Sequence, residues 1–209
     1  MVAYKSDPTK EPHVEGQRLS RENLLTALSL LGDVLEVRGL AYELAVIGGS
    51  ALLLSGSGER TTRDVDVVGI VDVENRRVVG LPFSDDFERA ASDVAEQLAM
   101  ASGWINAGPR MLAEFGLPDG FVDRCERHAF RSLGVWIAAR IDQIFFKLFA
   151  AVDQGPNSRH ASDLLSLSPT LEELDAAAKW CRTHDPSVGF AEMLDEAVAF
   201  FKGAINSGA

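Results

Sequence analysis

Apolar residues recur along the chain with two different periods, and the changes of period divide it into elements. Leu24, Leu25, Leu28, Leu31 and Leu35 fall at helical spacing behind Ser20, a residue suited to an N-cap, and Gly39 ends the run near Arg38. Tyr42 to Ile47 is short, apolar and partly β-branched, and it runs into Gly48-Gly49, which predicts a strand. Ala51-Leu-Leu-Leu54 predicts a helical turn or two. Arg63-Asp-Val-Asp-Val-Val-Gly-Ile-Val71 is the clearest strand pattern in the chain. Ser84, followed by Asp85 and Asp86, predicts a helix start with acids where the helix dipole favours them. That helix is expected to run to about Ser102 and stop at Gly103. Glycine and proline break up residues 104–120, leaving room for one short helix, and Leu133 to Ala138 reads as another strand. Helices are expected over about 140–153, 160–167, 170–182 and 187–202, with Thr170 and Glu173 spaced as a capping box.

The expected fold class is therefore α/β: a small mixed sheet with flanking helices and a C-terminal helical region. Residues 1–17 are polar and read as a loose arm, residues 18–139 as the α/β core, and residues 140–209 as helices packed on that core. The length, 209 residues, suits one such domain. No apolar run has the roughly 18 residues needed to span a bilayer, the N-terminus lacks the apolar core of a secretory signal, and Cys125 and Cys181 have no metal-ligand spacing. These features predict a cytoplasmic protein that does not enter the membrane.

Charge sharpens the picture by its distribution. The net charge is −11, which argues against a broad nucleic-acid footprint. Residues 163–196 are strongly acidic, whereas residues 124–147 carry Arg124, Arg127, Arg131, Arg140 and Lys147 against only Glu126 and Asp142. A positive zone in an acidic protein suggests a bound anion. His13, His128, His160 and His184 share no metal-binding spacing. Trp104, Trp136 and Trp180 read as packing residues.

The candidate chemistry lies in the first third. Gly48-Gly49-Ser50 is followed, after thirteen intervening residues, by Asp64-Val65-Asp66. On a strand, residues i and i+2 share a face, so both carboxylates point one way, about 7 Å apart. Such a pair offers hard oxygen ligands for Mg²⁺ or Mn²⁺, with positions left for water and substrate phosphates. A Gly-Gly-Ser turn offers backbone N–H groups and a hydroxyl, with no side chain to block a phosphate. Either feature alone is commonplace: a turn, or a solvated strand face. In this order, on a strand–turn–helix–strand frame, they suit phosphoryl transfer.

These residues, Val46-Ile-Gly-Gly-Ser-Ala-Leu52 followed by Arg60-Thr-Thr-Arg-Asp-Val-Asp-Val-Val68, resemble the nucleotidyltransferase superfamily typified by DNA polymerase beta. The pattern looks closest to the prokaryotic branch that includes nucleotidyltransferase toxins of type IV toxin–antitoxin systems, and within it to uncharacterised bacterial proteins. The segments Asp142 to Asp153 and Arg159 to Leu165 resemble that branch's C-terminal helices, so the resemblance spans roughly residues 25–170. It implies that Gly48, Gly49, Ser50 and Arg63 contact the nucleotide, that Asp64 and Asp66 hold the metal, that Lys147 neutralises phosphate, and that Asp163 is an auxiliary acid. It also implies an NTP substrate, a tRNA or protein acceptor, and a cognate toxin or antitoxin. One departure stands out. Many active members of the superfamily carry a third carboxylate on a later strand, and Leu133 to Ala138 contains no acid, while Asp123 and Asp142 flank it but fit poorly. Two readings stay open: a metal-dependent nucleotidyltransferase, or a degenerate nucleotide-binding module or partner subunit without turnover.

Overall fold

A computed structural model describes residues 18–207 apart from Glu59 and Leu81, so the expected N-terminal arm lies outside the described residues. The chain runs α1 (Arg21–Val37), β1 (Tyr42–Ile47), α2 (Gly48–Leu54), β2 (Val65–Asp72), β3 (Arg77–Val79), α3 (Asp85–Gln97), β4 (Ile105–Asn106), α4 (Arg110–Phe115), α5 (Phe121–Arg124), β5 (Glu126–Phe130) and β6 (Leu133–Ile137). Four helices follow: α6 (Arg140–Gln154), α7 (Arg159–Ser166), α8 (Leu171–His184) and α9 (Val188–Asn206). The fold class is α/β, with a mixed six-stranded sheet, flanking helices and a helical C-terminal region. Among the described residues no helix is long and apolar enough to cross a membrane.

The sheet runs β3-β2-β1-β6-β5, with β4 also on β2. Strand β1 lies at its centre, antiparallel to β2 and parallel to β6. Because β1 takes one edge of β2, the other edge is shared: β3 pairs with its C-terminal residues, and β4 pairs in parallel at Val65 and Asp66. The leucine face of α1 and Phe87, Ala90 and Val94 of α3 close one core against β1, β2 and β6. On the other face, Phe146 of α6 packs with Ala45, Ile47 and Trp136. Ile144 and Leu148 of the same helix join Leu52 and the α7–α9 residues in a third cluster. One helix thus touches both the sheet and the C-terminal helices.

The caps follow the expected chemistry. Ser20 and Ser84 accept the N–H groups of Asn23 and Phe87, and Thr170 with Glu173 forms the full capping box. Helix α3 ends earlier than its pattern suggests, at Gln97 rather than near Ser102, with Ala99 in the left-handed region at φ 51°. Tertiary packing explains the early stop. Trp104 is fully buried and donates to the Ala91 carbonyl at 2.9 Å, which turns the chain back along α3 and delivers Ile105 and Asn106 to β2. Strands β3 and β5 have no counterpart in the sequence reading. The first has three residues, and the second is a mostly exposed edge strand without an apolar face.

Candidate active site

The turn after β1 is built by Gly48, whose φ of +73° lies in the left-handed region. Glycine is required there for a second reason: a Cβ would come within 2.5 Å of Asp66 Oδ2. The first glycine therefore makes room for the second carboxylate. Its N–H is already engaged, donating to Gln143 Oε1 at 3.1 Å. Ser50 is completely buried, and its hydroxyl donates to the Ile47 carbonyl at 3.2 Å. Of the Gly-Gly-Ser turn, only Gly49 reaches the neighbouring cleft. The expected phosphate contacts of Gly48 and Ser50 thus have both polar groups committed to internal bonds.

That cleft has a volume of about 780 Å³, within the range of small-molecule sites, and it gathers residues from distant parts of the chain. Gly49, Arg63, Asp64, Asp66, Lys147 and Asp163 all line it. So do Arg18, Arg60 and Arg159, which the sequence reading did not assign. Arg18 arrives there because Leu19 forms a two-bond bridge with Thr62, at 2.7 and 3.1 Å. Thr62, itself buried, caps the turn by donating to the Asp64 carbonyl at 3.0 Å. Five cations and three carboxylates face one cleft in a chain of net charge −11.

Asp64 precedes β2 instead of lying on it, so the two acids reach the cleft from a strand and from the turn before it. Asn106 stands between them. It is the register partner of Asp66, and its side-chain N–H donates to Asp64 Oδ2 at 3.2 Å. Burial and the neighbouring Asp64 charge push the Asp66 carboxyl up to about 6, against the pull of Lys147, Arg159 and Asn106. A buried carboxyl held up by a neighbouring carboxylate suits a divalent cation, whose charge offsets that repulsion. Among the described residues no group of three or more His, Cys, Asp or Glu side chains gathers to hold a metal ion. A cation here would be held by Asp64 and Asp66, with water or substrate oxygens completing its shell.

Lys147 is buried, with its ammonium 2.7 Å from Asp163 Oδ2. Asp163 also faces Arg60 at 3.5 Å. Asp163 is therefore an anchor for two cations at the cleft wall. Half-buried His160 sits nearby, and burial together with Lys147 and Arg159 keeps it below the ordinary imidazole range despite Asp163. The strands beside Asp66 are β1 and β4; Leu133 to Ala138 pairs with β1 on the edge away from β2. Strand β4 places an amide, Asn106, beside the carboxylate pair. Asp123 pairs with Arg76, and fully buried Asp142 is gripped by Arg124 at 2.5 and 3.1 Å; neither lines the cleft.

The positive zone expected over residues 124–147 is absent in space. Arg124 pairs with Asp142, Arg127 with Glu43, Arg131 with Asp33 and Glu36, Arg140 with Glu173, and Lys147 with Asp163. Only Lys147 of these reaches the cleft. Arg18, Arg63 and Arg159, in contrast, have no ion-pair partner among the described residues and line it. Two of the missed residues stand beside assigned ones in sequence: Arg60 lies three positions before Arg63, and Arg159 four positions before Asp163.

Compared with known proteins, residues 22–179 match the family model described as "Nucleotidyltransferase of unknown function (DUF6036)". No curated protein and no solved structure matches the chain.

Proposed function

The chain belongs to this DUF6036 family of nucleotidyltransferases, and from that premise we propose that it moves a nucleotidyl group from an NTP to a hydroxyl on RNA, such as tRNA, or on protein, using Mg²⁺ or Mn²⁺. The observation that carries this reading is the convergence of Asp64, Asp66, Gly49, Lys147 and four arginines on one cleft. In the proposed reaction the acceptor hydroxyl gives up its proton to solvent water as its oxygen bonds to the α-phosphorus, the bond from that phosphorus to the α–β bridging oxygen breaks, and pyrophosphate leaves with the bonding pair. The metal, held by Asp64 and Asp66, would supply Lewis-acid neutralisation of the phosphate oxygens. Lys147, Arg63 and Arg159 would hold the triphosphate and favour the departing pyrophosphate. Asp163 would keep Lys147 and Arg60 aimed at the cleft. The resemblance to toxin–antitoxin proteins adds a cognate toxin or antitoxin as partner to the proposal.

Asn106 favours a second reading. An amide beside the carboxylate pair cannot accept the acceptor hydroxyl's proton as an acid on that strand would, which suits a nucleotide-binding module or partner subunit without turnover. One experiment separates the two: incubation with each labelled NTP, Mg²⁺ or Mn²⁺, and total RNA. The enzyme reading expects label on RNA or on protein, lost in Asp64→Asn. Nucleotide binding with no label transferred, for every NTP, would overturn it in favour of the module.

A further inference from the structure

Gln143 takes no part in lining the cleft, yet it is bonded to the turn on which the cleft depends. Its side chain is 1% exposed, and Oε1 accepts the Gly48 N–H at 3.1 Å across 95 positions of sequence. Its Nε2 is buried and has no partner among the described residues. The orientation of the amide follows from the chemistry: a backbone N–H can only donate, so the oxygen must face Gly48, and the opposite orientation would set two donors against each other. A buried donor without an acceptor is costly. An unbranched apolar side chain would fill the same space without that cost, so packing alone does not account for a glutamine here.

What the bond holds is more specific. Gly48 is the position where a Cβ would strike Asp66 Oδ2, and its left-handed backbone sets the clearance for that carboxylate. Gln143 and Lys147 stand at i and i+4 on α6, hence on one face of the helix. We propose that Gln143 is a positioning residue of the nucleotidyl-transfer site. It pins the Gly48-Gly49 turn against the Asp66 carboxylate from the same helix that carries Lys147, so turn, carboxylate and cation keep one relative placement. The proposal rests on the nucleotidyltransferase reading for its purpose, while the pinning itself stands apart from that reading.

The test compares Gln143→Met with Gln143→Glu in the full chain. Thermal unfolding reports stability, electron paramagnetic resonance reports Mn²⁺ affinity, and NMR with ¹⁵N-glycine reports hydrogen exchange of the Gly48 amide. Methionine removes the orphan donor but leaves the half-buried Gly48 N–H without its acceptor, so the two effects offset and the melting temperature is expected to stay close to wild type. The Gly48 amide should exchange faster, and Mn²⁺ affinity should fall about 10–100-fold, the scale seen when an outer support of a metal ligand is lost. Glutamate keeps an acceptor oxygen in place and should restore both slow exchange and Mn²⁺ affinity. A merely structural glutamine would move stability, not this pair of readouts with rescue. The proposal is overturned if Gln143→Met keeps wild-type Gly48 exchange, or if its Mn²⁺ affinity is unchanged while wild type binds the ion. Should wild type bind no Mn²⁺, the functional reading fails on its own, and Gly48 exchange alone decides whether Gln143 pins the turn.

Discussion

Replacing Gly48 by alanine isolates the contact between the turn and the carboxylate pair. Two effects are expected. The first is backbone strain, because an alanine at φ +73° occupies the left-handed region, at a cost of about 1–2 kcal/mol. For a chain of this size each kcal/mol lowers the melting temperature by about 2–4 °C. The second is contact. The new Cβ would stand 2.5 Å from Asp66 Oδ2, well inside van der Waals distance, so the carboxylate must rotate away. That oxygen is the end of a short side chain, so the movement adds little to the stability loss, but it carries the carboxylate off its place beside Asp64. Gly39 supplies the control, since it has nearly the same backbone, φ +68°, and nothing within 4 Å of a Cβ. Gly39→Ala and Gly48→Ala should therefore lose similar melting temperature. Only Gly48→Ala should lose Mn²⁺ affinity, by about tenfold or more. Differential scanning calorimetry and Mn²⁺ titration by electron paramagnetic resonance read the two effects separately. Equal Mn²⁺ affinity in the two variants would refute the assignment of Gly48 as the clearance for a metal-binding carboxylate.

Three other outcomes follow from the same geometry. The Asp66 carboxyl is raised from its ordinary 3.8 to about 6, so the fold favours its protonated form, and its contribution to stability declines as pH rises from about 4 to 6. Asp66→Asn should remove that decline and leave the metal-free protein about 1–3 kcal/mol more stable at neutral pH; identical pH–stability curves for variant and wild type would contradict this. Arg124→Ala leaves Asp142 buried and unpaired, and should cost about 3–5 kcal/mol in a urea titration, whereas removing the exposed Arg89–Asp86 pair should cost about 1 kcal/mol or less. Lys147→Ala should weaken NTP binding by about 10–100-fold in isothermal titration, with Lys147→Arg recovering part of it, and equal affinities would remove Lys147 from the site.

The sequence reading identified elements well and polar partners poorly, for a physical reason. Strand β1 is bounded where its apolar run begins and ends, and Ser20, Ser84 and Thr170 cap helices by bonds to residues three positions away. Both signals are local, so one stretch of chain contains them. Helix α3 went wrong where a distant demand, the burial of Trp104, overrode local propensity. The candidate site divides along the same line. Gly49, Asp64 and Asp66 were found because an apolar strand, a glycine turn and a spaced acid pair follow one another between Tyr42 and Asp66; Lys147 and Asp163 came through the family resemblance. Asn106 and Gln143 were missed because their meaning lies in partners 42 and 95 positions away. Nothing near Asn106 marks a two-residue strand laid beside Asp66, and nothing near Gln143 distinguishes it from a core-facing helix residue.

The charges carry the converse lesson. Summed along residues 124–147 they predicted an anion site, and in space each of those five cations meets an acid from another element. A cation run in sequence measures supply, while a binding site requires cations left over after the fold has paired the rest. Arg18, Arg63 and Arg159 are the ones left unpaired around the cleft among the described residues. They come from three separate stretches of chain, and of the three only Arg63 drew notice in the sequence, through the family resemblance. The cleft concentrates positive charge in an acidic protein because folding neutralises the arginines elsewhere and brings these three together, and that residual charge is what a triphosphate would meet.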